Sequence, residues 1–452
     1  MDMIMRFIMG LVFYGTMIPT YMFAANLRLP KKNIMLGVTI PYARHDEPSV
    51  TAVGITYLRR IRILTVVAGI LGLPILLVPF MSIQLLIMLT LLLLFITGDF
   101  VIFVRANRAL AAIKRQSNWA ESAHTVPAVA DFRAMEEKRR PLPRLFFILP
   151  CLIAAIPLIP LIHEMLTGTV EWGQAAGYLI TVLFVPLLLI LGEAIRRQGA
   201  EVVGTDSDLN VILTRVRRRE YLRCMALCAW LLALTALAVG FQTIMLAFWF
   251  PAVVLTLAIV VAAYSFRAEF AVRRTQEKFT KMAGYTLAVD DDAYWLWGFF
   301  YHNRNDRRLL IKDRVGMSMG MNLGRPLGLC LMLLSGLLLL AMPLIGVWSV
   351  AQEFTPITYH VEGTEVTATQ IRSRTFDLGT DFEAEIVDAL PHGSRTFGTA
   401  IGTLRAGTFS FDGIGSAYAL FHTDQPPFIV LTTSDGQVLV FNFDPVFEPL
   451  LR

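Results

Sequence analysis

Trp295-Leu-Trp-Gly-Phe-Phe-Tyr-His-Asn-Arg-Asn-Asp306 opens a stretch that continues as Arg307-Arg-Leu-Leu-Ile-Lys-Asp-Arg-Val-Gly316 and Met317-Ser-Met-Gly-Met-Asn-Leu-Gly-Arg-Pro326, then runs straight into the apolar segment Leu327–Val347. Trp295, Trp297, Phe299, Phe300 and Tyr301 concentrate aromatic area that a free linker has no use for. An Asn/Asp turn and a short Leu309–Ile311 strand follow. Gly316, Gly320 and Gly324 recur every fourth residue, a spacing that permits close approach to another backbone. Pro326 suits the first turn of a helix, where no amide donor is lost. The stretch therefore predicts an ordered module leading into a membrane-length helix. Basic, apolar chain precedes it and acidic, strand-patterned chain follows.

Working outward, the whole chain has 452 residues, 55% hydrophobic and 17% charged, with a mean hydropathy of +0.59. A soluble domain carries about 25% charged residues, so the composition indicates a polytopic membrane protein. Eight apolar runs approach the roughly 20 residues a bilayer core demands: Met3–Phe23, Ile63–Phe80, Leu85–Val104, Leu145–Ile162, Tyr178–Leu191, Met225–Val239, Ile244–Tyr264 and Leu327–Val347. Ala24-Ala25 offers a small-residue cleavage site after the first run, but cleavage would leave the basic stretch behind it on the translocated side, so the run is taken as a span. Cys151, Cys224, Cys228 and Cys330 fall in or beside apolar runs and form neither a disulfide framework nor a zinc pattern.

Lysine and arginine set the orientation. They collect in 25–62, 105–144, 196–223 and 267–325, including Lys138-Arg139-Arg140 and Arg217-Arg218-Arg219, while the alternate connections near 81–84, 167–174 and 240–243 have none. Eight spans with every basic loop in the cytoplasm would place both termini outside it. These loops are expected to meet the bilayer and its anionic lipids. Inside the spans, Asp99 and Glu193 are the ionisable candidates. Each lies near basic residues, Arg105 and Arg196, and structural pairing is expected for both. Pro74, Pro157, Pro160, Pro186 and Pro343 are candidate helix breaks of the kind transporters use.

Residues 351–452 carry thirteen acidic and five basic residues, a net of −8. Strand patterns recur at 357–361, 365–369, 372–376, 408–411, 417–422, 428–432 and 438–443. The last two flank Ser434-Asp435-Gly436, a hairpin signal, and Asp444-Pro445 begins a short terminal helix. The expected fold class is thus an all-α membrane bundle of about eight transmembrane helices followed by a small all-β domain, a barrel or a half-open sandwich. The expected division is 1–265 membrane region, 266–326 cytoplasmic module, 327–350 last transmembrane helix and 351–452 extracytoplasmic β domain.

Trp297-Gly298, Tyr301, Asn303, Asp306, Gly316, Gly320, Asn322, Gly324 and Pro326 resemble the signature of a bacterial family, the domain of unknown function 5808, whose members sit beside membrane helices in proteins of the SdpI immunity and signalling type. Gly37-Val38-Thr39-Ile40-Pro41, Asp46-Glu47-Pro48 and Tyr57-Leu58-Arg59-Arg60 also resemble the start of those proteins. Arg304 and Arg307 stand where the family usually has prolines, and the family's Ile-Pro-x-His-x-Asn-x-x-Gly motif is absent between the fourth and fifth runs. Gly398–Gly402, Gly407–Phe409, Tyr418–Phe421 and Ile429–Asn442 resemble a bacterial pleckstrin-homology-like domain. That resemblance implies a barrel closed by a C-terminal helix. It does not imply a function.

No nucleophile elbow, P-loop, dinucleotide-binding glycine pattern or zinc-protease helix occurs, and the seven histidines show no metal-ligand spacing. The expectation is therefore a non-enzyme without a cofactor or metal. The basic loops lack the stacking platforms of a nucleic-acid surface, so no nucleic acid is expected. Trp295, Trp297, Tyr301, Asn303, Asp306 and Asn322 are the candidate interaction or coupling residues. For the aromatic ones, a ligand site, an interfacial belt and packing against the basic loops are all open readings. The leading function is sensing, scaffolding or interaction in a bacterial cell envelope, with a protein partner for the C-terminal domain. The alternative is transport or lipid handling through the Pro-interrupted spans.

Overall fold

The computed structural model describes residues 2–30, 33–119, 142–166, 172–197, 207–241, 290–315 and 319–451, with scattered positions between 260 and 275. Helices α1 (Asp2–Asn26), α2 (Pro48–Leu71), α3 (Pro74–Leu77) and α4 (Met81–Gln116) are followed by α5 (Leu145–Ala155), α6 (Leu158–Leu166), α7 (Trp172–Arg196), α8 (Ser207–Phe241) and α9 (Pro326–Phe354). Among the described residues six helical segments are long and apolar enough to cross a membrane, not the expected eight. The fifth run lies inside α7, which is not one of the six, and the seventh falls almost wholly outside the described residues. The second span also starts earlier than its apolar run suggests, at Pro48, because α2 buries Val50, Tyr57 and Ile61 before the chain becomes continuously apolar. Gly72 ends that helix and Pro74 opens a new turn, and the chain breaks again at Pro157, between α5 and α6. Pro186 and Pro343, by contrast, sit within continuous helices, and Pro160 lies in the first turn of α6.

α1, α2, α3, α4 and α9 form one bundle, and α5, α7 and α8 form another. In the first, α9 runs antiparallel along α4. A β-carbon on Gly346 would sit 2.5 Å from the Leu86 α-carbon, so the two backbones touch near the far end. Leu333, Leu337, Leu340 and Leu344 of α9 are each about two-thirds exposed, at 64–65%. Leaving such side chains in water forfeits roughly 1.5–3 kcal/mol apiece. A bilayer removes that cost, and the helices thereby identify a membrane protein.

The C-terminal region has two sheets. Strands β7 (Thr358–Glu362), β8 (Glu365–Thr369) and β9 (Ser373–Asp377) form a meander. Strands β10 (Phe382–Val387), β11 (Gly393–Ile401), β12 (Leu404–Phe411), β13 (Gly415–His422), β14 (Phe428–Thr433) and β15 (Val438–Asn442) form a six-stranded sheet ordered β10-β14-β15-β13-β12-β11. β13 and β15 are parallel, and the other pairs are antiparallel. Val366, Ala368, Phe376 and Leu378 of the meander pack on Leu420, Ile429, Leu431, Leu439 and Phe441, with Phe447 and Leu450 closing the core. Central strands β14 and β15 are buried along nearly their full length because Phe409, Phe421, Phe428 and Val440 form a second apolar cluster. The sheet has two free edges, so the expected barrel is not closed. The terminal helix is a 3-10 segment, Pro445–Leu451.

Candidate functional site

The aromatic stretch folds at the basic end of the first bundle. Short strands β3 (Trp295–Leu296) and β4 (Phe300–Tyr301) pair around a turn at Trp297 and Gly298, both with positive φ (54° and 70°). An N-terminal hairpin, β1 (Ile34–Met35) and β2 (Val38–Thr39), turns the same way through Leu36 and Gly37, with φ of 48° and 77°. The two turns meet backbone to backbone. A β-carbon on Gly37 would lie 2.5 Å from the Gly298 carbonyl oxygen. Asn107 of α4 fixes the junction by donating from Nδ2 to the Leu36 carbonyl at 2.8 Å. Below it, Leu36, Val38, Ile40, Tyr57, Ile61, Phe103, Leu110 and Val315 share one core, against which Phe299 packs. Residues 290–315 are thus built into the membrane bundle.

One helical face of α4 presents Phe103, Asn107, Leu110 and Lys114, and all four are buried. Lys114 donates to Asp290 Oδ2 at 2.5 Å and to Asp292 Oδ2 at 2.7 Å. Asp292 also accepts from the Thr39 hydroxyl at 2.7 Å and from Arg314 Nη2, which bonds to Thr39 as well. Among the described residues Arg314 Nε and Nη1 have no acceptor, and the guanidinium carbon lies 5.6 Å from the centre of the Trp295 ring. Burial opposes the charged form of Asp292. Arg314, Lys114 and Thr39 together outweigh it and hold the carboxyl below its ordinary range. A charge cluster this enclosed is stable only while its partners are all present.

Asn322, fully buried, organises the second half. Its Oδ1 accepts from the Asn303 and Gly324 amides at 3.0 and 2.9 Å, and its Nδ2 faces the carbonyls of Asn303, Asp306 and Arg308 at 2.8, 3.1 and 3.3 Å. Asp306 receives Arg308 Nη2 at 2.7 Å and the Tyr301 hydroxyl at 3.3 Å, and the Arg308 bonds hold its carboxyl down to about 2. Tyr301 packs on Trp295 with ring centres 5.2 Å apart. Trp297 lies apart from these, 45% exposed, against Phe100 of α4 at 6.0 Å. Gly324 backs onto Asn303, but Gly320 faces open space, which corrects the expectation that each spaced glycine marks a close approach. Gly316 is outside the described residues.

Trp295, Tyr301, Asn303, Asp306 and Asn322 therefore come together, and Asp99 and Glu193 lie elsewhere. Glu193 pairs with Arg144 at 3.1 Å, Arg197 at 3.3 Å and Arg196 at 3.8 Å. Asp99 does not reach Arg105. Both its carboxylate oxygens are enclosed and without a hydrogen-bond partner among the described residues, and Arg105 is exposed on α4. Asn107, Lys114, Asp290, Asp292 and Arg314 were not singled out from sequence. The heptad-like spacing of Phe103, Asn107, Leu110 and Lys114 was the signal that two polar residues share a buried face.

The arrangement can weld three distant segments. Among the described residues no His, Cys, Asp and Glu are grouped to hold a metal ion. No protein-family model, curated protein or solved structure matches this chain.

Proposed function

We propose that this protein is an envelope sensor or scaffold of a bacterial plasma membrane, in which the aromatic module on one side and the β domain on the other report on each other through the α4–α9 pair. The observation that carries this reading is that α9 is fastened at both ends. At the basic end the module preceding α9 is locked to α4 through Asn107 and Lys114. At the far end Glu353 of α9 accepts the Ser82 amide of α4 at 3.1 Å, and its side chain fills the space a β-carbon on Gly402 would need. Gln352 accepts the Thr399 hydroxyl at 3.0 Å and, through its carbonyl, the Gln370 amide at 2.6 Å. A shift of α9 against α4 must therefore move both folded ends.

Lys114→Met tests the coupling by hydrogen exchange on the full chain in lipid nanodiscs. Faster exchange in 356–451, with the helices still protected, supports it. Loosening confined to 290–325 would leave the cluster a purely structural role. A second reading, transport, rests on the enclosed and unpartnered Asp99. It predicts proton or cation flux into proteoliposomes that Asp99→Asn abolishes.

A further inference from the structure

The β domain is acidic, yet one of its few cations is held in a way that no internal ion pair explains. Arg374, on β9, lies with its guanidinium carbon 4.8 Å from the centre of the Tyr418 ring and 5.6 Å from that of Phe376. Those two rings are themselves 4.8 Å apart. Phe376 is buried in the core between the sheets, and Tyr418 stands on β13, so the platform is rigid. No carboxylate among the described residues pairs with Arg374. The guanidinium instead borders a cavity of 220 Å³ shared with Thr408, Ser416 and Gln437. Their side chains, like the Tyr418 hydroxyl, make no hydrogen bond to another described residue.

We propose that this groove binds a carboxylate, with Arg374 as the anchoring fork and Tyr418, Thr408, Ser416 and Gln437 as surrounding hydrogen-bond groups. Stacking on aromatic rings fixes the guanidinium plane while leaving its edge free, and a planar fork matches a carboxylate bidentately. A cleft with a few convergent polar groups is the ordinary form of a small-ligand site. Charge separates a carboxylate from a phosphate. Arg374 is the one basic residue lining the groove, and the region around it carries a net −8. A monoanion tolerates that field, whereas a phosphate dianion needs clustered cations. The carboxylate belongs either to a small free acid or to the C-terminus of a peptide. The free edge of β9, which pairs with β8 alone, offers a peptide backbone a strand to join.

The test is calorimetric titration of the full-length protein in nanodiscs with four probes: acetate, a free-acid Ala-Ala-Ala peptide, its C-terminal amide, and inorganic phosphate. Saturable binding of acetate or the free-acid peptide, with none of the amide, is expected. Binding of both acids identifies a small-acid site, and binding of the peptide acid alone identifies a peptide terminus. Arg374→Gln should weaken the bound acid about 10–100-fold, the scale of a charge-assisted pair. Arg374→Lys should not restore it, since a point charge lacks the fork. Unchanged thermal unfolding of both variants shows that the exposed side chain was not holding the fold. Equal binding of acid and amide, phosphate in preference to carboxylate, an unaffected Arg374→Gln, or no saturable binding of either acid would each overturn the assignment.

Discussion

At the scale of single residues, the polar groups sort by whether their partners are complete. Asn322 satisfies two amides and three carbonyls from inside the module, so Asn322→Ala orphans several buried backbone groups at once. A loss on the order of 3 kcal/mol is expected, seen as faster exchange of the amides in 303–308 and 322–325. Asp306 supplies a pH signature. Its folded-state carboxyl, held down to about 2 against an ordinary 3.8, stabilises the fold above about pH 4 and loses that contribution as pH falls toward 2. Arg308→Gln should therefore lower the unfolding midpoint by a constant amount above pH 4, and the gap to the parent protein should close between pH 4 and 2. A gap independent of pH over that interval would refute the pairing. Asp99 is the opposite case. With no partner to lose, Asp99→Leu should stabilise the bundle by about 1–3 kcal/mol in detergent-mediated unfolding. Destabilisation would mean that the carboxylate has a counterpart.

At the scale of elements, two tight turns decide whether the module docks. Gly298→Ala asks a β-carbon to adopt φ 70° and to enter the space of Gly37 and Asn107. A cost of about 2–4 kcal/mol is expected from strain and overpacking together. Gly320→Ala, facing open space, should change stability by less than about 0.5 kcal/mol. Comparable effects of the two would contradict the packing described. These turns also show what was legible beforehand. Hydropathy located the apolar helices, and alternation located β8 as Glu365–Thr369 and the β14–β15 hairpin across Ser434–Gly436, because local chemistry dictates both. Strands β10 and β11 escaped notice. β10 alternates over Phe382-Glu-Ala-Glu-Ile386 and so carried a legible strand signal, whereas β11 contains Gly398 and a register shift between Arg395 and Phe397 that break its alternation. Within the site, Trp295, Tyr301, Asn303, Asp306 and Asn322 were recognisable because they are close in sequence. Lys114 and Thr39 were not, since their partner Asp292 lies 178 and 253 residues away.

At the scale of the whole molecule, the arrangement bears on orientation. Phe13 of α1 lies against Gly72 at the far end, whereas Ala24 accepts the Tyr57 hydroxyl toward the basic end, so the start of α1 and the β domain share a side. The positive-inside expectation puts the arginine-rich segments in the cytoplasm, and on it an impermeant thiol reagent on intact cells should label a cysteine placed at Ser373 and spare one at Asn305, in a background lacking the four native cysteines. The reverse pattern would invert the protein. The welded corner has a consequence for how the chain is made. Leu36, Val38 and Ile40 leave the ribosome some 275 residues before Val315, which completes their core. At about 5–20 residues per second that is a delay on the order of tens of seconds. Throughout it the N-terminal hairpin has no lid and Lys114 no counter-ion, with the first helices already in the bilayer. Biogenesis of this protein must therefore include a long-lived, half-assembled state. A nascent chain stalled near residue 285 should be clipped by protease around residues 33–40, and one stalled beyond about residue 370, with Val315 clear of the exit tunnel, should not.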